Sequence, residues 1–283
     1  MTSEAGEHDE SGGTSDRMIT DHYHQADLLA RFEQAMGAIG RDRETVTTAD
    51  LAPADEFHVG GRPATEHLLD QLALPATAHV LDVGCGIGGP ARFAADRFDR
   101  VTGVDLTAAY VAVGTELNRW LGYDERIDLR HGSALDLPFA DASFDGGYLL
   151  HVGMNIADKS RLLAEVHRTL KPGGGFAIYD IMRLADGPVD FPLPWASEPE
   201  TSHLATPDAY RKAAIDAGFT VTAENNRVSQ ARAAFERLQG QPPGPLGLHL
   251  VMGQTIGEKV RNLTAAVTGG LVGPIELILY KPA

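Results

Sequence analysis

Between Val80 and Tyr179, short apolar runs alternate with longer amphipathic or glycine-bounded stretches. Val80-Leu81-Asp82-Val83, Val101-Thr102-Gly103-Val104, Phe144 to Leu150 and Phe176 to Tyr179 lack the polar alternation of half-exposed strands. Each therefore reads as a strand covered on both faces. The segment Leu162 to Leu170 reads as a helix that ends at the stop signal Lys171-Pro172-Gly173. Strand and helix in alternation predict an α/β fold with a doubly wound, mostly parallel sheet. Upstream, residues 18–50 read as helical, with Leu28, Leu29, Phe32, Met36 and Ile39 on one apolar face. Arg62 to Leu74 forms a further amphipathic helix after the turn Val59-Gly60-Gly61. Downstream, Gly187 to Trp195 places three prolines in seven residues, which neither a helix nor a central strand tolerates. Such a long irregular connection is usually functional. Pro207 to Ala217 then reads as a helix, Phe219 to Thr222 as a strand, and residues 228–268 as two helical segments around Gln241 to Pro245. Pro274 to Tyr280 reads as the last strand.

The most informative stretch is Leu81-Asp82-Val83-Gly84-Cys85-Gly86-Ile87-Gly88-Gly89 with the helix opening at Pro90. Strand, tight glycine turn and helix N-terminus together present free backbone N–H groups to a nucleotide-like ligand. Gly84, Gly86 and Gly89 satisfy the G-x-G-x-x-G spacing of dinucleotide sites. Asp82 argues against a dinucleotide, because a carboxylate two residues before the first glycine would repel a pyrophosphate. It suits a ligand that carries an ammonium group and no phosphate; the bland alternative is helix capping.

The motif resembles that of class I S-adenosylmethionine-dependent methyltransferases, and four further features follow in that family's order. Val101 to Asp105 resembles the second strand, ending in an acid that grips ribose hydroxyls; Asp105 lies 21 positions after Gly84, near the ~20-residue offset expected for such an acid. His131-Gly132-Ser133-Ala134 with Leu137-Pro138-Phe139 resembles the adenine-binding turn, Phe144 to Leu150 the fourth strand, and Leu170 to Asp180 the turn into the fifth. The resemblance covers residues 55–283. It implies a seven-stranded, Rossmann-like methyltransferase fold whose last strand is antiparallel, with residues 18–75 as a helical lid, 76–283 as the cofactor-binding domain and 183–206 as a substrate-covering insertion. It implies S-adenosylmethionine as cofactor and S-adenosylhomocysteine as product, held by Asp82, Gly84, Cys85, Gly86, Gly88, Asp105, Leu106, Ser133, Ala134 and Leu150. Ser133 departs from the pattern: the family usually has an acid here, and serine accepts a hydrogen bond from adenine more weakly. Cys85 reads as a small buried hydrophobe, and Arg92 as a structural salt-bridge partner.

Composition adds bounds. The chain has 283 residues, 43% hydrophobic and 22% charged, enough for a large core. Its net charge of −15, from 24 Lys+Arg against 39 Asp+Glu, disfavours nucleic acid as a partner. A single cysteine excludes an internal disulfide and fits a reducing, cytoplasmic setting. No run of 18 apolar residues predicts a membrane span. Residues 1–17 are acidic and rich in Gly, Ser and Thr, which reads as a disordered tail rather than a secretory signal. A homodimer is the one assembly considered, with the oligomeric state left open by the sequence.

The acceptor side is set by residues after the fourth and fifth strands. His151 stands where the carboxyl edge of the sheet faces ligands; it can orient a nucleophile or accept its proton near neutral pH. Asn155 adds a hydrogen bond, and Trp195 in the proline-rich insertion either walls the pocket or packs the loop. Tyr23 belongs to the lid, and the flanking pair His22 and His24 is too little for a metal site, so none is expected. The phrase Asp55 to Gly61 with Ala64-Thr65, then Gly88 to Arg92, resembles sarcosine and dimethylglycine methyltransferases, with tocopherol- and quinone-type enzymes close by. A small-molecule acceptor follows, an amine nitrogen ahead of a phenolic oxygen or a prenyl or quinone carbon. The rivals are an NAD-dependent oxidoreductase and a non-catalytic binding protein.

Overall fold

The computed structural model describes residues 28–238, 240 and 242–283. The tail 1–17 and the lid residue Tyr23 lie outside the described residues. Seven strands form one sheet: β1 His79–Val83, β2 Arg100–Asp105, β3 Ile127–His131, β4 Phe144–Leu150, β5 Leu170–Arg183, β6 Thr220–Asn226 and β7 Val272–Tyr280. Their order is β3-β2-β1-β4-β5-β7-β6. β1 to β5 pair in parallel, and β7 runs antiparallel between β5 and β6. The apolar runs are buried as expected: Val80, Leu81, Val83, Leu149, Phe176 and Ile178 are fully covered. Chain order reverses direction between β1 and β4, and in open α/β sheets ligands bind outside the carboxyl ends of the strands at such a switch point.

The helical reading of residues 18–50 lies partly outside the described residues, and from Leu28 onward the structure divides it. Leu28–Ala38 and Thr48–Asp55 are separate helices, with a turn at Gly40 (φ 70°) between them. The second helix starts where it does because Thr47 and Asp50 form a capping box. The Thr47 Oγ1 accepts from the Asp50 N–H at 3.2 Å, and the Asp50 carboxylate accepts from the Thr47 N–H at 2.9 Å. The Arg62 helix ends at Asp70. The stretch 228–268 holds three helical segments, Val228–Leu238, His249–Met252 and Ile256–Thr268. The proline-rich connection is irregular apart from one short 3-10 turn at Pro199–Thr201.

Two contacts fasten the N-terminal helices over the sheet edge. Leu28, Phe32, Met36 and Leu51 pack with Tyr110, Val113 and Leu117 from the helix after β2, and with Leu250 and Val251. Arg92, fully buried in the helix Gly89–Ala95, donates to the Asp55 carboxylate at 2.7 Å, the Asn118 side-chain oxygen at 2.7 Å and the Ile87 carbonyl at 3.0 Å. Arg92 is thus the structural ion-pair partner its position predicts.

Candidate active site

A cavity of about 420 Å³ lies over the carboxyl ends of β2, β1 and β4, within the range of roughly 300–1,000 Å³ usual for small-ligand sites. Gly84, Gly86, Asp105, Leu106, Ser133, Ala134 and Leu150 line one part of it; His151, Asn155 and Trp195 line the other. The structure thus brings together most of the residues the sequence singles out, from five separate stretches of chain.

Asp105 ends β2 with its carboxylate already ordered. One oxygen accepts from the Thr107 N–H at 2.8 Å and the other from the Gly86 N–H at 2.9 Å. A carboxylate has about four lone-pair sites, so acceptor capacity is left for two hydroxyls. Burial pushes its pKa up from the usual carboxylate value, while those two N–H groups hold it down. The glycine turn approaches its neighbours too closely for side chains. Gly84 (φ 77°) would press a Cβ into Val152, and Gly86 (φ 52°) would place one 2.9 Å from the Phe57 ring. Only glycine adopts such angles without strain. The obstacle at Gly86 is therefore first of all protein: Phe57 covers the turn and stands edge-on to Tyr110 at 5.8 Å.

Three of the residues assigned to the cofactor are not on the cavity wall. Asp82 is buried beneath the turn and accepts from the Tyr148 hydroxyl at 3.0 Å. Burial lifts its pKa to about 8, against the partial relief given by Tyr148, so the free protein holds it largely protonated at pH 7. Cys85 is a buried free thiol against Gly103, its pKa raised by burial. Gly88 caps the following helix and packs on Arg92 and Leu129. Ser133 does line the cavity, but its hydroxyl also accepts from the Leu135 N–H at 3.1 Å.

His151 sits directly after β4 in the left-handed region, φ 53°, where a non-glycine residue pays about 1–2 kcal/mol. Its N–H donates to the Tyr179 carbonyl at 2.8 Å, and its ring leans on Tyr179 with centroids 4.9 Å apart. Strain held by a hydrogen bond at a ligand-facing position is characteristic of functional sites. Burial, reinforced by neighbouring His58, drives its pKa well below the ordinary value. His58 is likewise neutral, lowered to about 4 by burial, with its Nε2 at 3.0 Å from both the Gly61 carbonyl and the Thr65 hydroxyl. An imidazole titrating near 6.5 is thus corrected to one that stays neutral well into the acid range. The Nε2 of His151 is buried without a partner. Asn155 is nine-tenths buried; its amide nitrogen donates to the Val152 carbonyl at 3.3 Å and its amide oxygen has no partner. Trp195 both lines the cavity and packs the loop: it is 2% exposed and its indole N–H donates to Ser202 at 3.0 Å.

Sequence reading missed Phe57, Val59, Tyr110, Met154, Pro194, Met252 and Leu263 on the cavity wall. Phe57 and Val59 alternate with Glu56 and His58, which turn the other way into a buried polar pair; that alternation was the available signal. Met252 and Leu263 come from C-terminal helices that fold back over the sheet, and no local pattern marks them. Among the described residues no group of three metal-ligating side chains exists, and no helix is long and apolar enough to cross a membrane.

This sheet order, with a ligand cavity at the switch point and an acid closing β2, defines the fold class of S-adenosylmethionine-dependent methyltransferases. Residues 81–178 match the methyltransferase domain family. It is 29% identical over 234 residues to a dimethylglycine N-methyltransferase of Parasynechococcus marenigrum, covering 81% of each chain. It is 32% identical over 168 residues to methyltransferase GfsG of Streptomyces halstedii, covering 59% of this chain and 58% of that one. Geranyl diphosphate C-methyltransferase from Streptomyces coelicolor A3(2), solved with Mg2+, geranyl diphosphate and S-adenosyl-L-homocysteine, has the same fold: TM-score 0.67 at 18% identity, covering 94% and 97% of the two chains. The chain spans between 34% and 58% of the length of five curated relatives it matches, GfsG among them.

Proposed function

We propose that the protein transfers a methyl group from S-adenosylmethionine to a small, uncharged, predominantly apolar acceptor. The observation that carries this reading is that one cavity joins Asp105 and the glycine turn to His151 and Trp195. The residues present fit the cofactor: Asp105 keeps free acceptor capacity, and the turn is too tight for side chains. Bound there, the cofactor supplies a methyl carbon already activated by its sulfonium. The chain's own work is to hold the acceptor in line with that carbon and to exclude water, and positioning of this kind can be worth about 7–11 kcal/mol. The acceptor part of the wall is Phe57, Val59, Met154, Ile156, Trp195 and Leu263. No Arg or Lys among the described residues lines the cavity, so a carboxylate-bearing amine such as dimethylglycine would find no cation there. A hydroxyl, an apolar amine or an alkene fits better. A neutral His151 orients a hydroxyl or takes its proton as the oxygen loses electron density; a weak base suffices, since the hydroxyl becomes strongly acidic as its oxygen is methylated.

Calorimetry should show binding of S-adenosylhomocysteine and none of NAD; the reverse would overturn the reading. Turnover should be seen with 2-naphthol or 2-naphthylamine and be weaker with dimethylglycine; preference for dimethylglycine would overturn the apolar acceptor. His151→Ala should slow transfer and leave S-adenosylhomocysteine affinity unchanged. Because the folded imidazole stays neutral, wild-type activity at saturating S-adenosylmethionine should show no acid limb at pH 6.5; such a limb, lost in the variant, would contradict a depressed pKa.

Asp82 offers a separate test of the ammonium assignment. It is protonated at neutral pH in the free protein, with a pKa of about 8, whereas pairing with an ammonium requires the carboxylate. Binding at pH 7 should therefore release close to one proton, and affinity should fall as pH drops below 8. Calorimetry in buffers of different ionisation enthalpy reads this directly. A buffer-independent enthalpy that Asp82→Asn does not alter would leave Asp82 with a structural role only.

A further inference from the structure

Behind the acceptor wall lies a buried polar cluster that neither the glycine turn nor the cavity uses. Asp180, fully buried in β5, accepts from the Tyr210 hydroxyl at 2.5 Å, from the Ile181 N–H at 3.0 Å and from the Gly153 backbone N–H. A Cβ on Gly153 would collide with both the Tyr210 hydroxyl and the Asp180 carboxylate, so the turn is drawn as close as a backbone can come. Lys159, 7% exposed, lies 5.3 Å above the Tyr210 ring. Its ammonium donates to the carbonyls of Ile156 and, at 2.8 Å, His203. The same short stretch, Met154 to Asp158, supplies five residues of the cavity wall. Its ends are thus tied from behind by side chains of β5, of the helix Pro207–Asp216 and of the helix Lys159–Thr169.

We propose that Asp180, with Tyr210 and Lys159, positions the 153–158 turn against the cofactor and so sets which acceptors fit. None of the three touches the reacting atoms; they are positioning residues, and the proposal rests on the acceptor reading above. The charges facing the cluster are Asp180, Lys159 and Asp158, with His203 beside Lys159. One buried acid and one buried lysine sit in the same cluster, so removing either partner leaves an unbalanced group under the turn. Tyr210→Phe is the mildest probe, since it removes one hydroxyl and no volume from the core.

The experiment uses the full chain with two ligands: S-adenosylhomocysteine, and prodan, a neutral apolar fluorophore, as a stand-in for the acceptor. Tyr210→Phe should weaken prodan binding by roughly tenfold, the size of one hydrogen bond to a carboxylate. S-adenosylhomocysteine affinity should stay within about twofold, because the Tyr210 hydroxyl bonds to Asp180 and not to a residue assigned to the cofactor. Hydrogen exchange should speed up at the Asn155 and Ile156 amides, which close the turn onto the Val152 and Gly153 carbonyls. With whichever naphthyl acceptor turns over, the loss should fall on KM more than on kcat. Asp180→Asn keeps one acceptor oxygen but turns its NH2 onto either the Ile181 N–H or the Tyr210 hydroxyl, so it should fall between wild type and Asp180→Ala, which should behave like Tyr210→Phe or worse. Unchanged prodan binding and exchange in a folded Tyr210→Phe protein would overturn the proposal. So would a parallel loss of S-adenosylhomocysteine affinity. Failure of the wild type to bind S-adenosylhomocysteine would instead sink the methyltransferase reading itself.

Discussion

Asp105→Ala should cost the protein most of its affinity for S-adenosylhomocysteine. Each hydrogen bond from a ribose hydroxyl to a carboxylate is worth about 1.5–3 kcal/mol, roughly ten- to 150-fold in binding. The substitution also releases the Gly86 and Thr107 N–H groups, which the carboxylate now orders at 2.9 and 2.8 Å. Asp105→Asn separates the two effects in part. Its amide oxygen can still accept from one of the two backbone N–H groups, so that side of the turn should keep its order, while its NH2 faces the other and the charge that strengthens the hydroxyl contacts is gone. Calorimetric titration of the folded variants is the measurement. An unchanged dissociation constant for Asp105→Ala would remove Asp105 from the cofactor site.

Arg92→Met should be the most destabilising single change outside the site. The guanidinium is wholly buried, and its ion pair with Asp55 at 2.7 Å has no exposed face. Breaking a buried pair from one side costs about 3–5 kcal/mol, because the remaining charge has neither water nor partner. Set against a typical stability of about 5–15 kcal/mol, that is a large share, and it implies a Tm lowered by roughly 6–20 °C. Arg92→Met with Asp55→Leu should recover part of the loss, since two apolar groups leave no orphaned charge. Thermal unfolding of both proteins, with the double-variant coupling, tests the claim. A loss below about 1 kcal/mol for Arg92→Met would show that water reaches the pair. Because Asp55 lies two residues from Phe57, Arg92→Met should also loosen the aromatic cover over the glycine turn.

Six of the seven strands, their order of appearance and the glycine turn were legible because each is a local pattern; β3, Ile127–His131, was not read. An apolar run such as Val80 to Val83 has one stable destination, a strand covered on both faces. A turn holding Gly84 and Gly86 at positive φ admits little else. The capping box at Thr47 and Asp50 is equally local, yet it divides what looked like one helical stretch. Periodicity alone does not see a cap, because Leu28 to Ile39 keeps a helical apolar face right up to the break.

Side-chain environment was not legible. Asp82 and Asp105 are both strand-end acids in sequence; in the fold one is sealed beneath the turn against Tyr148 and the other opens to the cavity. His151 is an ordinary histidine until the ring of Tyr179 and the neighbouring His58 surround it and hold it neutral. Nothing local to Asp180 announces that Tyr210, Lys159 and Gly153 converge on it from elements up to 30 residues away.

The sequence by itself determined the α/β class, the parallel core of the sheet and the glycine turn, because backbone conformation and burial follow from residues near in the chain. Only the tertiary structure decided which acids stay protonated, that Phe57 rather than open space faces Gly86, and that no Arg or Lys among the described residues lines the cavity. Those properties depend on desolvation and on contacts between residues far apart in the chain, and they come into being only when the elements pack.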